Sequence, residues 1–168
     1  MTAVDRCALS YRVLLEYTSN ENHRWRDWFG GHPRAWDIPF ASGMMATIGG
    51  VVLHIFAIEL RYAQRLLEQD VTPPEGFTQR SIDEVFELGD NARALLIQFL
   101  SNAPESELDR VLTFKTITAG MVTASKHKIA SNVFLHGIRH WGQVATTLRA
   151  NGFTDQWGHD MLLSNTEL

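Results

Sequence analysis

The chain has 168 residues, 45% of them hydrophobic and 20% charged, which is enough apolar material for one buried core and too little charge for a disordered chain. A formal net charge of −4 leaves no broad cationic surface, which argues against nucleic acid as a partner. Cys7 is the one cysteine, so an internal disulfide, a thiolate metal cluster and a CxxC pair are all excluded, and a reducing compartment, the cytoplasm, is expected.

Residues 4–29 place Val4, Cys7, Tyr11, Leu14, Leu15, Trp25 and Phe29 mostly three and four apart, predicting a first amphipathic helix that Gly30-Gly31 and His32-Pro33 end. The N-terminus carries Asp5 and Arg6 where a signal peptide would have a basic head and an unbroken apolar stretch. Ser42 is the expected cap of a second helix reaching about residue 70, with Ile48, Val51, Ile55, Ile58, Tyr62 and Leu66 on its stripe and Pro73-Pro74 beyond it. The apolar run 44–60 is interrupted by Thr47, Gly49, Gly50, His54 and Glu59, so no membrane span is expected.

Ser81-Ile-Asp-Glu84 has the form of a capping box and predicts the start of a third helix. Residues 108–123, rich in Thr, Val and Ile with Gly120 inside, predict a long irregular connection with strand character. A fourth helix is expected over about 125–150, with Ile129, Val133, His136, His140, Val144 and Leu148 on one face and Asn151-Gly152 as its stop. Residues 153–168 hold enough apolar character for one short helical turn. Four long helices with one apolar face each predict a single all-α domain over 1–168, a four-helix bundle.

His136 and His140 stand four apart on the buried stripe, one turn above one another. Unsatisfied imidazoles there would cost about 1–3 kcal/mol of desolvation each, so they are either core histidines bonded to carbonyls or carboxylates, or ligands of a shared metal ion. His54, beside Val51, Ile55 and Ile58 on the second helix, is the candidate third ligand. Gln143 follows His140 by one turn, where its amide is a candidate to touch a ligand histidine, the bound water or a substrate atom, and Glu59 is a candidate to polarise a histidine from a neighbouring helix, against the simpler reading of solvated helix positions. Arg61, Arg65 and Arg139 are candidate anion contacts on the same terms, and Trp25, Trp28 and Trp141 are expected in the core or a pocket wall. His23, His32, His127 and His159 fall near helix ends or in loops and are not candidates. No Glu-x-x-His pair for a di-iron bundle, no His-Glu-x-x-His helix, nucleophile elbow, Walker loop or dinucleotide fingerprint occurs.

Leu53-His54-Ile55 with Glu59 on one long helix, followed by His136-Gly-Ile-Arg-His140-Trp-Gly-Gln143 on the last one, resembles the DinB/YfiT-like superfamily. The resemblance implies an up-down-down-up four-helix bundle that binds a divalent metal through one histidine of the second helix and two of the fourth, at positions matching His54, His136 and His140. It implies a bacterial protein, frequently a homodimer, and for some members a thiol-dependent S-transferase or isomerase working with a low-molecular-weight thiol. Trp141 departs from the polar residue that often follows the last histidine in the family. The expected function is therefore a metal-dependent transferase or hydrolase acting on a small molecule, with Zn, Ni or Fe as the ion. The alternative is a non-catalytic bundle that binds a small ligand or a partner helix, with metal structural or absent.

Overall fold

A computed structural model describes residues 9–42, 45–78, 80–155 and 157–166. The chain is mostly helical, with four long helices: α1 (Tyr11–Gly31), α2 (Ile48–Leu66), α3 (Ile82–Asn102) and α4 (Lys126–Ala150). A single helical turn, Glu105–Leu108, and three 3-10 segments, Pro33–Asp37, Pro74–Gly76 and Met161–Leu163, punctuate the connections. No helix among the described residues is long and apolar enough to cross a membrane.

Each long helix begins on a hydroxyl that accepts from an otherwise orphaned backbone N–H. Ser10 accepts from Val13, Thr47 from Gly50, Ser81 from Glu84 and Ser125 from Lys128. At Ser81 the box is reciprocal, because the Glu84 carboxylate accepts the Ser81 N–H at 3.0 Å. The stops are equally local. The His32 N–H donates to the Phe29 carbonyl before Pro33, and Asn151 and Gly152 close α4 with Gly152 at φ 81°.

The second helix covers its predicted stripe, Ile48 to Leu66, but starts later than a Ser42 cap implies and ends short of residue 70. Ser42 lies in strand β1 (Pro39–Ser42), which pairs antiparallel with β2 (Met45–Thr47), Ser42 opposite Met45 and Pro39 opposite Thr47. The chain is committed to this short ladder until Thr47, which takes the capping role instead. At the far end Glu68 adopts φ 56°, a left-handed conformation that stops the helix well before Pro73. The first helix also starts inside its predicted stripe, at Tyr11; Val4 and Cys7 lie outside the described residues.

The connection expected to have strand character is a regular hairpin, β3 (Val111–Thr116) with β4 (Gly120–Ser125), in register from Val111 opposite Ser125 to Thr116 opposite Gly120. Gly120 sits at φ 69°, the conformation that closes the tight turn and that glycine reaches without a Cβ penalty. The inward residues of the hairpin, Leu112, Phe114, Val122 and Ala124, pack on a core formed by Leu66, Leu96, Phe99, Ile129, Val133 and Phe134.

Lys126 pins the hairpin's base to the end of α2. Although its side chain is only 1% exposed, its ammonium donates to the Leu66 carbonyl and to the carboxylates of Glu68 and Glu107. A buried charge needs such partners.

Helix α2 packs most extensively on α3 and α4, while α1 leans on α3 and α4 from the other side. The second core joins them around Trp25, Phe29, Trp36, Val52, Phe56, Phe86 and Leu148. Gly49 permits the closest approach in it, because a Cβ there would overlap the Trp36 indole. The C-terminal segment is tied back to α1: His159 lies stacked on Trp25, 5.1 Å between ring centroids, with its Nδ1 2.8 Å from Glu21 and its Nε2 2.7 Å from Asp155.

Candidate metal centre

Two helices, α2 and α4, bring His54, His136 and His140 together. One ring nitrogen from each can be chosen so that all three lie within 4.8 Å of one another, and among the described residues this is the one cluster of three or more His, Cys, Asp or Glu side chains with that property. The two imidazoles of α4 meet edge to face at 4.4 Å between centroids, and His54 approaches them at 5.1 and 5.0 Å.

The distances carry chemical information. His54 Nε2 and His136 Nε2 are 3.2 Å apart. Two imidazole nitrogens bound tetrahedrally to one zinc at 2.0–2.1 Å would be separated by about 3.3 Å. His140 Nδ1 lies 2.6 Å from Gln143 Oε1. An amide oxygen only accepts, so this contact places the proton on Nδ1 and leaves the Nε2 lone pair of His140 free for the centre. Gln143 thus touches His140 itself, where its spacing left open a ligand histidine, a bound water or a substrate atom.

All three rings are held neutral, the form a metal requires. His140 is buried and the other two partly so. Burial pushes His54 down to about 4 and His136 down to about 3, with the neighbouring imidazoles and the Arg139 guanidinium adding to the effect. His140 is lowered too, by burial first and Arg139 last, against the opposing bond to Gln143.

Glu59 does not join the cluster. It is five residues beyond His54, about 140° round the helix, and so points to the opposite side. There its carboxylate is buried against Arg93 of α3, Arg93 Nε standing 3.0 Å from Glu59 Oε1, while another nitrogen of the same guanidinium donates to Thr18 Oγ1 at 2.9 Å. The expectation that Glu59 polarises a histidine gives way to this ion pair, and so does its alternative, a solvated helix face.

The chain belongs to the DinB family. The family's sequence profile matches residues 7–164, a span that contains all three histidines, Gln143 and both hairpins. No curated protein matches the chain.

Within this DinB chain the cluster opens into a cavity of about 460 Å³. Its walls come from α2 and α4 and from the tip of the β3–β4 hairpin, so the connection that looked irregular in sequence supplies Phe114, Thr116 and Ile117 to the site. Arg61, Arg65 and Arg139 line it as well. A second cavity, about 510 Å³, lies on the α1 side and is lined by Trp141, Trp157 and His159. There Glu21 accepts from Trp157 Nε1 and meets His159. Trp141 faces this side, stacked on Trp25 at 5.2 Å with its Nε1 donating to Asn22 Oδ1, so its departure from the family pattern lies away from the histidine cavity.

The donor set fits a divalent ion. Three neutral nitrogens within 4.8 Å of one another, one pair of them at tetrahedral spacing, could hold such an ion, with one proton fixed by an amide and the cluster open to a cavity. Imidazole suits Zn, Ni and Fe alike.

Proposed function

We propose that this protein is a metal-dependent enzyme in which His54, His136 and His140 ligate one divalent ion, Zn, Ni or Fe, facing the 460 Å³ cavity. The observation that carries the reading is the 3.2 Å separation of the His54 and His136 Nε2 atoms, with the third imidazole's Nε2 left unprotonated by Gln143. When bound, the ion supplies Lewis acidity, which brings deprotonation of a water or a thiol close to neutral pH.

The chain's own residues do the rest. Gln143 fixes the His140 tautomer, burial keeps all three rings uncharged, and the hairpin tip with Phe114 and Ile117 forms a wall of the cavity they face. A nucleophile made available in a small-molecule cavity supports a transferase, of the thiol-dependent S-transferase type, or a hydrolase. The reading includes an up-down-down-up bundle over one domain, a low-molecular-weight thiol as cosubstrate, a cytoplasmic location and a homodimer. Segment 67–81 supports that topology, since at about 3.3 Å per residue it is long enough to run back along the bundle between α2 and α3.

The test is metal analysis of untagged protein together with turnover of electrophiles offered with bacterial thiols, before and after chelation. Stoichiometric metal and turnover lost to chelator are expected. Full metal retention by His136→Ala would overturn the site. A ligand affinity indifferent to chelator, with no turnover, would instead make the protein a non-catalytic binding module.

A further inference from the structure

The cavity in front of the histidines collects positive charge without balancing it. Counting from His54, positions 58, 61 and 65 return to within about 40° of the same face of α2, so the Arg61 and Arg65 side chains line the cavity beyond Ile58. Arg139 of α4, which directly precedes His140 in the chain, lines the same cavity. Among the described residues no aspartate or glutamate lines this cavity.

Every other arginine of the four long helices has a carboxylate within 4.0 Å: Arg12, Arg24, Arg26, Arg93 and Arg149. Among the described residues Arg61, Arg65 and Arg139 have none. Arg61 lines the cavity, and its Nε is buried with no hydrogen-bond partner among the described residues, so its other guanidinium N–H groups are the ones left to meet an acceptor there. Arg65 is pre-set: its guanidinium lies over the Phe114 ring at 4.7 Å and donates to the Arg61 carbonyl at 3.0 Å, leaving further N–H groups for an acceptor. In a chain of net charge −4, such a pocket focuses anions locally.

We propose that this cavity takes small molecules that carry an oxyanion, carboxylate or phosphate, at the end remote from the reacting atom. The oxyanion sits on Arg61 and Arg65, the apolar body lies against Tyr62 and Phe114, and the reacting end reaches the histidine cluster. His54 and Arg61 are two turns apart, about 10 Å along the helix, which sets the length of the molecule. The inference deepens the proposed function and rests on the histidine cluster as the reaction centre.

The experiment is calorimetric titration of metal-free and zinc-loaded protein, at fixed ionic strength, with 4-phenylbutyrate, phenyl phosphate and the uncharged 4-phenylbutyramide. In metal-free protein at least one of the two anions should bind tenfold or more tighter than the amide, and the tighter of the two identifies the oxyanion. The R61Q/R65Q double variant should lose that preference, whereas R61K/R65K should keep part of it. Both variants should retain zinc binding, which checks that the fold survives. Equal affinity for acid and amide, no saturable binding of either anion by the unmodified protein, or an unchanged preference in R61Q/R65Q would overturn the proposal. If the protein takes up no zinc while the anion preference and its loss in R61Q/R65Q stand, the metal reading fails and the oxyanion site remains.

Discussion

His140 Nδ1 and Gln143 Oε1 are 2.6 Å apart on successive turns of α4, and this contact decides which nitrogen of His140 faces the cavity. Because the amide oxygen can only accept, the proton belongs on Nδ1. Replacing Gln143 by Ala removes the partner and frees the ring to rotate or change tautomer. Loss of such an orienting bond typically weakens metal binding by about 10–100-fold. Competition titration with a zinc chelator should give a Kd raised by that factor for Gln143→Ala while zinc still binds; an unchanged Kd would show that Gln143 has no part in the site.

Removing a ligand is more severe. His54→Ala and His140→Ala should each leave two imidazoles, a pair that other cations and water displace readily, with affinity more than about a hundredfold weaker, beyond the range seen when only an orienting bond is lost. His23→Ala and His127→Ala, outside the cluster, should keep full stoichiometry. Inductively coupled plasma mass spectrometry on untagged protein separates the two groups.

How much of this could be read from the residues depends on how local each cause is. Ser81 and Ser125 cap their helices through contacts three residues away, so α3 and α4 are visible in the sequence. Ser42 and Thr47 carry the same hydroxyl chemistry. The choice between them is made by the β1–β2 ladder, whose short, bulged strands show no clear alternation. His136 and His140 declare themselves by spacing, but His54 becomes a partner only when α2 packs on α4. Arg61 and Arg65 share His54's face by simple helical counting. Their lack of a carboxylate partner is a property of the packed molecule. His159 could not be found at all, since its partner Glu21 lies 138 residues earlier in the chain.

Two sets of histidines should give pH dependences of opposite sign. His54 and His136, lowered to about 4 and about 3, bind fewer protons in the folded than in the unfolded chain, whose histidines titrate near 6.5. Metal-free protein should therefore be undisturbed by them above pH 6.5 and lose stability progressively as pH falls from there towards 4 and 3. Comparing the Tm of the unmodified protein with that of a His54→Gln/His136→Gln variant between pH 7.5 and 4.5 checks this: the variant should lose less. Parallel curves would mean the rings are not held neutral.

His159 behaves the other way. Burial lowers its pKa, but the bonds to Glu21 and Asp155 outweigh that and leave it raised. A raised value means stability that is fully present below about 6.5 and fades as pH rises through the folded pKa. His159→Gln should therefore lower the Tm most near pH 6 and progressively less towards pH 9, as the unmodified protein loses the imidazolium charge that the variant lacks throughout. An offset constant with pH would assign the loss to packing alone.

The Glu59–Arg93 pair separates support from chemistry. Both side chains are largely buried, and burial raises the Glu59 pKa against the opposing charge of Arg93. Deleting one partner leaves the other without compensation, which costs about 3–5 kcal/mol in pairs of this kind. Arg93→Met should show a loss of that order in urea denaturation at pH 7, reduced where Glu59 can take up a proton instead. Glu59→Gln with Arg93→Met together should recover part of it, since no charge is then stranded. Neither change should alter zinc affinity, because Glu59 points away from the three histidines. A drop in zinc binding confined to the Glu59 variants, with stability held constant, would restore to that carboxylate a role at the metal.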